Sequence, residues 1–161
     1  RVAGRSMKYD DASWHYEGEY PADLPPEAGA THIGMFLAWM LLHGFASGDV
    51  QEDAAAELAA LQRREISGAE FLRRVCDEAL TDGEFSDEGN AFATAYYQSE
   101  DGEGYGLYID DYIATFDASD DTDDDNCLYR LDDSWDNYDK LAAVIDRRYG
   151  EWLAQGRPAS L

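Results

Sequence analysis

The chain has 161 residues, with 35 Asp and Glu against 12 Lys and Arg, a formal net charge of −23. An anionic surface without a basic stripe excludes nucleic-acid and anionic-membrane binding, and 45% hydrophobic residues exclude a disordered acidic tail. The length suits one domain with a sizeable core.

Arg1 to Ser6 reads as a vector remnant, with Met7 as the natural start. The expected division is a leader at 1–6, one acidic helical domain at 7–156 and a frayed tail at 157–161. The segment after Met7 is polar and acidic, without the basic and apolar regions of a signal peptide. The longest apolar run, Ile33 to Leu42, is too short to cross a bilayer. A cytoplasmic protein is expected.

Lys8 to Gly29 reads as irregular, because Pro21, Pro25 and Pro26 forbid a long helix. A helical turn capped by Asp10 or Asp11 fits around Trp14. Thr31 to His43 is apolar nearly all round, the pattern of a fully buried helix, with Gly44 ending it. Asp49 to Arg64 predicts a helix with Leu58 and Leu61 inward. Ser67 and Glu70 form a capping box. The helix they start carries Phe71, Val75 and Ala79 at spacing four, with Cys76 expected on its apolar stripe as a buried small hydrophobe.

Ser86 starts a further helix with Phe92, Ala95 and Tyr96 inward. Gly102, Gly104 and Gly106 mark a loop. Tyr105 to Phe116 carries a stripe of Tyr108, Ile109, Tyr112, Ile113 and Phe116. Asp117 to Asn126 reads as an acidic loop. Ser134 caps a last helix with Tyr138, Leu141, Ile145, Arg148 or Tyr149, and Trp152 inward. The one strand candidate is Cys127 to Leu131. The fold class expected is all-α: a single compact domain of five to six helices, with an irregular N-terminal segment and an acidic loop.

No strong catalytic signature is present. His32 and His43 lie about 16 Å apart along one helix by rise, too far to share a metal. Both read as hydrogen-bonded structural histidines, and His15 as a surface or partner-contact residue. The 117–128 and 121–132 registers lack the glycine of an EF-hand loop. Nucleophile elbow, P-loop and dinucleotide turn are missing. No catalytic residue, metal or cofactor is therefore expected, and the chain reads as a non-enzyme.

Aromatic residues alternate with acids in two places. One holds Trp14, Tyr16 and Glu17; the other holds Asp132, Asp133, Trp135 and Asp136. Beside the second lies the dense run Asp120, Asp121, Asp123, Asp124 and Asp125. Rings that anchor among acids that steer are typical of protein-binding faces. These twelve residues are the expected partner-binding set, and the expected partner is a basic protein.

The segments from Met7 to His15 and from Pro25 to Trp39 resemble a bacterial family of unknown function. So do Cys76 to Glu78, Glu88 to Tyr97, Ser134 to Leu141 and Asp146 to Tyr149. The resemblance implies no activity. By analogy with small acidic bacterial proteins encoded beside secreted toxins, the expected role is an immunity protein that occludes the active site of a cognate toxin. The alternatives are a metal-assisted hydrolase using carboxylates with His32 or His15, and a DNA mimic that sequesters a basic nucleic-acid-binding protein.

Overall fold

A computed structural model describes residues 7–99 and 105–161. The leader at 1–6 and the loop glycines Gly102 and Gly104 lie outside the described residues. The architecture is mostly helical rather than strictly all-α. Eight α-helices and three short 3₁₀ turns accompany one two-stranded sheet among the described residues.

The sheet occupies places read from the sequence as irregular and as helix. Strand β1, Lys8–Asp11, pairs antiparallel with β2, Ala79–Thr81, in the register Asp10↔Leu80 and Asp11↔Ala79. The fifth helix therefore ends earlier than the spacing of Phe71, Val75 and Ala79 suggests. Asp77 and Glu78 both have positive φ, which breaks the helix before Ala79. Cys76 is the cap residue at that break and is half-buried, not a core hydrophobe. Conversely, the strand expected at Cys127 to Leu131 is a 3₁₀ turn at Leu128–Arg130.

Asp11 caps helix α1, Ala12–Tyr16, through its side chain. A 3₁₀ turn at Pro26–Ala30 leads into α2, Thr31–Leu42, which is buried from Thr31 to Leu41. Gly44 then takes φ +83°, and the helix stops. The single helix expected from Asp49 to Arg64 is broken at Ala54 into α3, Gly48–Asp53, and α4, Ala55–Gln62. Helix α5, Gly68–Val75, starts at the capping box of Ser67 and Glu70. Helices α6, Asp87–Tyr96, and α7, Leu107–Phe116, follow, and α8, Trp135–Ala154, closes the chain.

Helix α2 is the axis of the core. It packs on α4, α5, α8 and the preceding 3₁₀ turn. Against α5 the backbones nearly touch: a Cβ on Gly34 would stand 2.2 Å from the Ala69 nitrogen, and one on Gly68 would stand 1.8 Å from the Gly34 oxygen. Phe36, Trp39, Phe92, Tyr96, Tyr108 and Trp152 form the aromatic centre, all buried. The tail expected to fray is hydrogen-bonded. Trp152 Nε1 donates to the Pro158 carbonyl, and the Leu161 amide donates to the Ala95 carbonyl.

Candidate functional site

The expected partner-binding residues divide by exposure. Asp120, Asp121, Asp123, Asp124 and Asp125 are exposed on a loop between α7 and α8. That loop is built from its own backbone turns. Asp121 accepts from the Asp123 amide, and Asn126 Nδ2 donates to the Asp117 carbonyl. Asp132, Asp133 and Asp136 are exposed at the start of α8. Asp133 accepts from the Ser67 hydroxyl at 2.6 Å, and although the residue reaches solvent, the protein packed around its carboxyl desolvates that group and raises its pKa. Trp135 is half-buried, with the Arg64 guanidinium 4.5 Å from its ring centre and Tyr138 edge-to-face against it. It is a covered side chain, not a free anchor. Trp14 is 51% exposed, with Glu17 exposed and Tyr16 half-buried nearby.

The arrangement that sequence reading missed lies inside. His15 is buried, not a surface residue. His32 finds it there, across the interface of α1 with the start of α2. Glycine permits this approach: a Cβ on Gly29 would lie 3.3 Å from the Ala12 oxygen and 3.5 Å from the His15 Cβ. The turn before α2 can thus press against α1, and His32, on the first turn of α2, meets His15 edge-to-face at 4.5 Å between ring centres.

Asp10 completes the group from β1. His15 Nε2 lies 2.8 Å from Asp10 Oδ1, and His32 Nε2 lies 3.6 Å from Asp10 Oδ2. Their relative exposures are 0% for Asp10, 6% for His15 and 1% for His32. Around them stand three tyrosines. Tyr97 donates to Asp10 Oδ2 at 2.5 Å. Tyr105 donates to Asp10 Oδ1 at 3.2 Å and lies 3.1 Å from His15 Nε2. The Tyr129 hydroxyl lies 2.6 Å from His15 Nδ1. Tyr108 fixes the helix beneath by donating to the His32 carbonyl.

The electrostatics follow from burial. Desolvation alone would raise the Asp10 carboxyl, but the hydrogen bond from His15 and the His32 imidazole 3.6 Å away hold it well below the usual carboxylate range. Burial drives the His32 pKa down, against the pull of Asp10, and so favours a neutral ring. Burial first, and then the Asp10 charge, pushes the hydroxyls of Tyr97, Tyr105 and Tyr129 up. They stay neutral donors. The chamber therefore holds a carboxylate, imidazole nitrogens and phenolic hydroxyls. Asp10, His15 and His32 each offer one ligand atom, all within 4.8 Å of one another, and no other such group of three occurs among the described residues.

A family described as a domain of unknown function, DUF7832, matches residues 8–126, which include every residue of this chamber but Tyr129. The chain belongs to the DUF7832 family. No curated protein matches it, and no solved structure does. The DUF7832 match contains the acidic loop but stops before α8. The usable signal in the sequence is Asp10, placed just ahead of a helical turn that carries His15. Nothing in it showed that α2 would bring His32 alongside.

Proposed function

We propose that this protein is an acidic binding protein whose partner is basic. The finer reading is an immunity protein that covers the active site of a cognate secreted bacterial toxin. One observation carries it: the exposed run from Asp120 to Asp125 has no basic ion-pair partner among the described residues, whereas the bases largely have acids. Lys8, Arg63, Arg64, Arg74, Arg130, Arg148 and Arg157 each pair with a carboxylate. Local pairing takes up most of the positive charge and leaves the loop without an ion-pair partner among the described residues. Such a surface accelerates encounter with a cation-rich protein.

Covering of Trp135 by Arg64 moves the expected anchor to Trp14, whose ring is the more exposed. The test uses the C-terminal domain of a secreted toxin encoded beside this gene. Stopped-flow association at low salt should slow in the variant D121N/D123N/D124N/D125N, and its salt dependence should flatten. Trp14→Ala should mainly raise the dissociation rate. A neighbourhood without a toxin gene, or an unchanged association rate in the fourfold variant, overturns the reading.

A further inference from the structure

Beyond partner binding, the buried chamber has a chemistry of its own. We propose that Asp10, His15 and His32 bind one divalent first-row transition-metal ion, with Zn²⁺ the ion that best suits their two nitrogens and one oxygen.

The first argument is an orphan. Neither ring nitrogen of His32 has a hydrogen-bond partner, although the residue is 1% exposed. A neutral imidazole carries one N–H and one lone pair, and buried groups of this kind are nearly always satisfied. A metal on Nε2 uses the lone pair directly and puts the N–H on Nδ1, so it satisfies one of the two orphan nitrogens.

The second argument is spacing. Tetrahedral zinc with bonds of about 2.0–2.1 Å separates its ligand atoms by roughly 3.3 Å. His32 Nε2 to Asp10 Oδ2 is 3.6 Å, and His15 Nε2 to Asp10 Oδ1 is 2.8 Å. These lie on either side of the required value but on different oxygens of Asp10, and the three ligand atoms all lie within 4.8 Å of one another, so the carboxylate must turn one oxygen to the ion as the two rings close on it. The Tyr105 hydroxyl, 3.1 Å from His15 Nε2 and 3.2 Å from Asp10 Oδ1, stands where a fourth ligand or its hydrogen-bond partner belongs.

The third argument is the surrounding shell. Metal-binding histidines direct their other nitrogen to an oxygen, and metal-binding carboxylates are themselves hydrogen-bonded. His15 Nδ1 faces the Tyr129 hydroxyl, and Asp10 Oδ2 accepts from Tyr97. Asp10 is fully buried and has no Lys or Arg partner among the described residues, so a cation beside it offsets the desolvation of its charge.

Metal binding requires ligands from three separate elements, so the ion would clamp β1, α1 and α2 together. Protein freed of metal with chelator and dialysed is titrated with Zn²⁺ in excess Mg²⁺, which occupies unspecific surface carboxylates. One equivalent should bind per chain, and the melting temperature should rise on the order of 5 °C at a hundredfold excess over Kd. Co²⁺ at the same site should give a visible absorption band that Zn²⁺ displaces. H15Q and H32Q should each abolish the stoichiometric equivalent, whereas D121N/D123N/D124N/D125N should keep it. The proposal is overturned by wild-type protein that binds no equivalent, by histidine variants that still bind, or by loss of binding in the loop variant. If neither histidine variant folds, ¹⁵N imidazole shifts of wild-type protein decide. Movement of His15 and His32 on adding one equivalent supports the site. Movement of His43 alone, whose Nε2 lies 3.3 Å from Asp146, or of no histidine overturns it.

Discussion

Tyr129 places its hydroxyl 2.6 Å from His15 Nδ1, so the turn after the acidic loop is fastened to the buried histidine of the N-terminal segment. Two regions that read as separate in sequence thus share one polar contact in the interior. Segment 127–131 also holds the outer surface, since Arg130 makes a two-pronged pair with Asp23 at 2.8 and 2.9 Å. The acidic loop is therefore followed by a segment tied both to the chamber and to the outer surface.

Removing that hydroxyl tests the fastening. Tyr129→Phe leaves a buried ring nitrogen without its partner, a loss of about 1–3 kcal/mol by the usual penalty for an unsatisfied buried group. A control is Tyr20→Phe, whose hydroxyl donates to the Pro25 carbonyl at an exposed site. Urea midpoints of the two variants should separate clearly. Equal midpoints would mean that the His15–Tyr129 contact adds nothing to stability.

The α2–α5 crossing gives a sharper test. Gly34→Ala drives a methyl into the backbone of Ala69, and Gly68→Ala drives one into the Gly34 carbonyl. The helices must part along their length, so each should lose at least the roughly 1–3 kcal/mol of ordinary overpacking. Gly48→Ala, with nothing within 4 Å of the added carbon, should be neutral or gain up to about 1 kcal/mol of helix propensity. Circular-dichroism melts of the three variants check both halves. A Gly34→Ala protein as stable as wild type would refute the close crossing.

How much of this was legible beforehand depended on the range of the information. Helix α2 could be read because its burial is written as a continuous apolar run, and α5, α6 and α8 because Ser67, Ser86 and Ser134 cap them locally. The sheet could not be read, since β2 has three residues and inherits a helical period from Phe71 and Val75. Ala79 falls in register with that period, and only the positive φ of Asp77 and Glu78 interrupts it. The chamber was illegible for a different reason. By spacing His32 belongs with His43 on the same helix, whereas its partners come from β1 and α1 through packing that no period encodes.

Asp111 and Arg148 form a two-pronged ion pair between α7 and α8. The guanidinium donates twice to the buried carboxylate, at 2.8 and 2.9 Å, and Tyr96 donates to it at 2.6 Å. Arg148→Ala strands the carboxylate beside a single hydroxyl. Breaking a buried pair from one side costs about 3–5 kcal/mol, and partial exposure of the Arg148 side chain, at 24%, places this case near the lower figure. Arg148→Lys should recover little, because an ammonium cannot reproduce the two-pronged geometry. Chemical denaturation of both variants decides it, and a lysine variant of full stability would show that charge alone suffices.

Salt should raise the stability of the whole chain. With 35 acids against 12 bases, repulsion among unpaired carboxylates outweighs the exposed ion pairs, which contribute at most about 1 kcal/mol each. Raising NaCl from low concentration to about 0.5 M shortens the screening length to a few ångströms and weakens both. The net effect is an increased melting temperature. A flat or falling melting temperature would mean that the acids are compensated by pairing or bound cations.

Acid should release the C-terminal tail through Glu88. Its carboxylate accepts from Arg157 Nε at 2.8 Å and from the Tyr149 hydroxyl at 2.8 Å. The Arg157 hydrogen bond first, and then that of Tyr149, holds the Glu88 pKa below its ordinary value of 4.5. A folded-state pKa below the unfolded one means that unfolding takes up protons, so the contribution is complete above about pH 4.5 and is lost as pH falls through the lower folded value. Arg157 also places its guanidinium 5.7 Å from the Trp152 ring centre, and Leu161 closes the tail onto Ala95. The protection factor of the Leu161 amide should therefore fall on acidification in wild-type protein. In Glu88→Gln it should already be low at neutral pH and should change less with acid. Other carboxylates titrate in the same window, so the comparison with this variant isolates Glu88. Identical pH profiles for the two proteins would show that the tail is held by the Trp152 and Ala95 contacts without the ion pair.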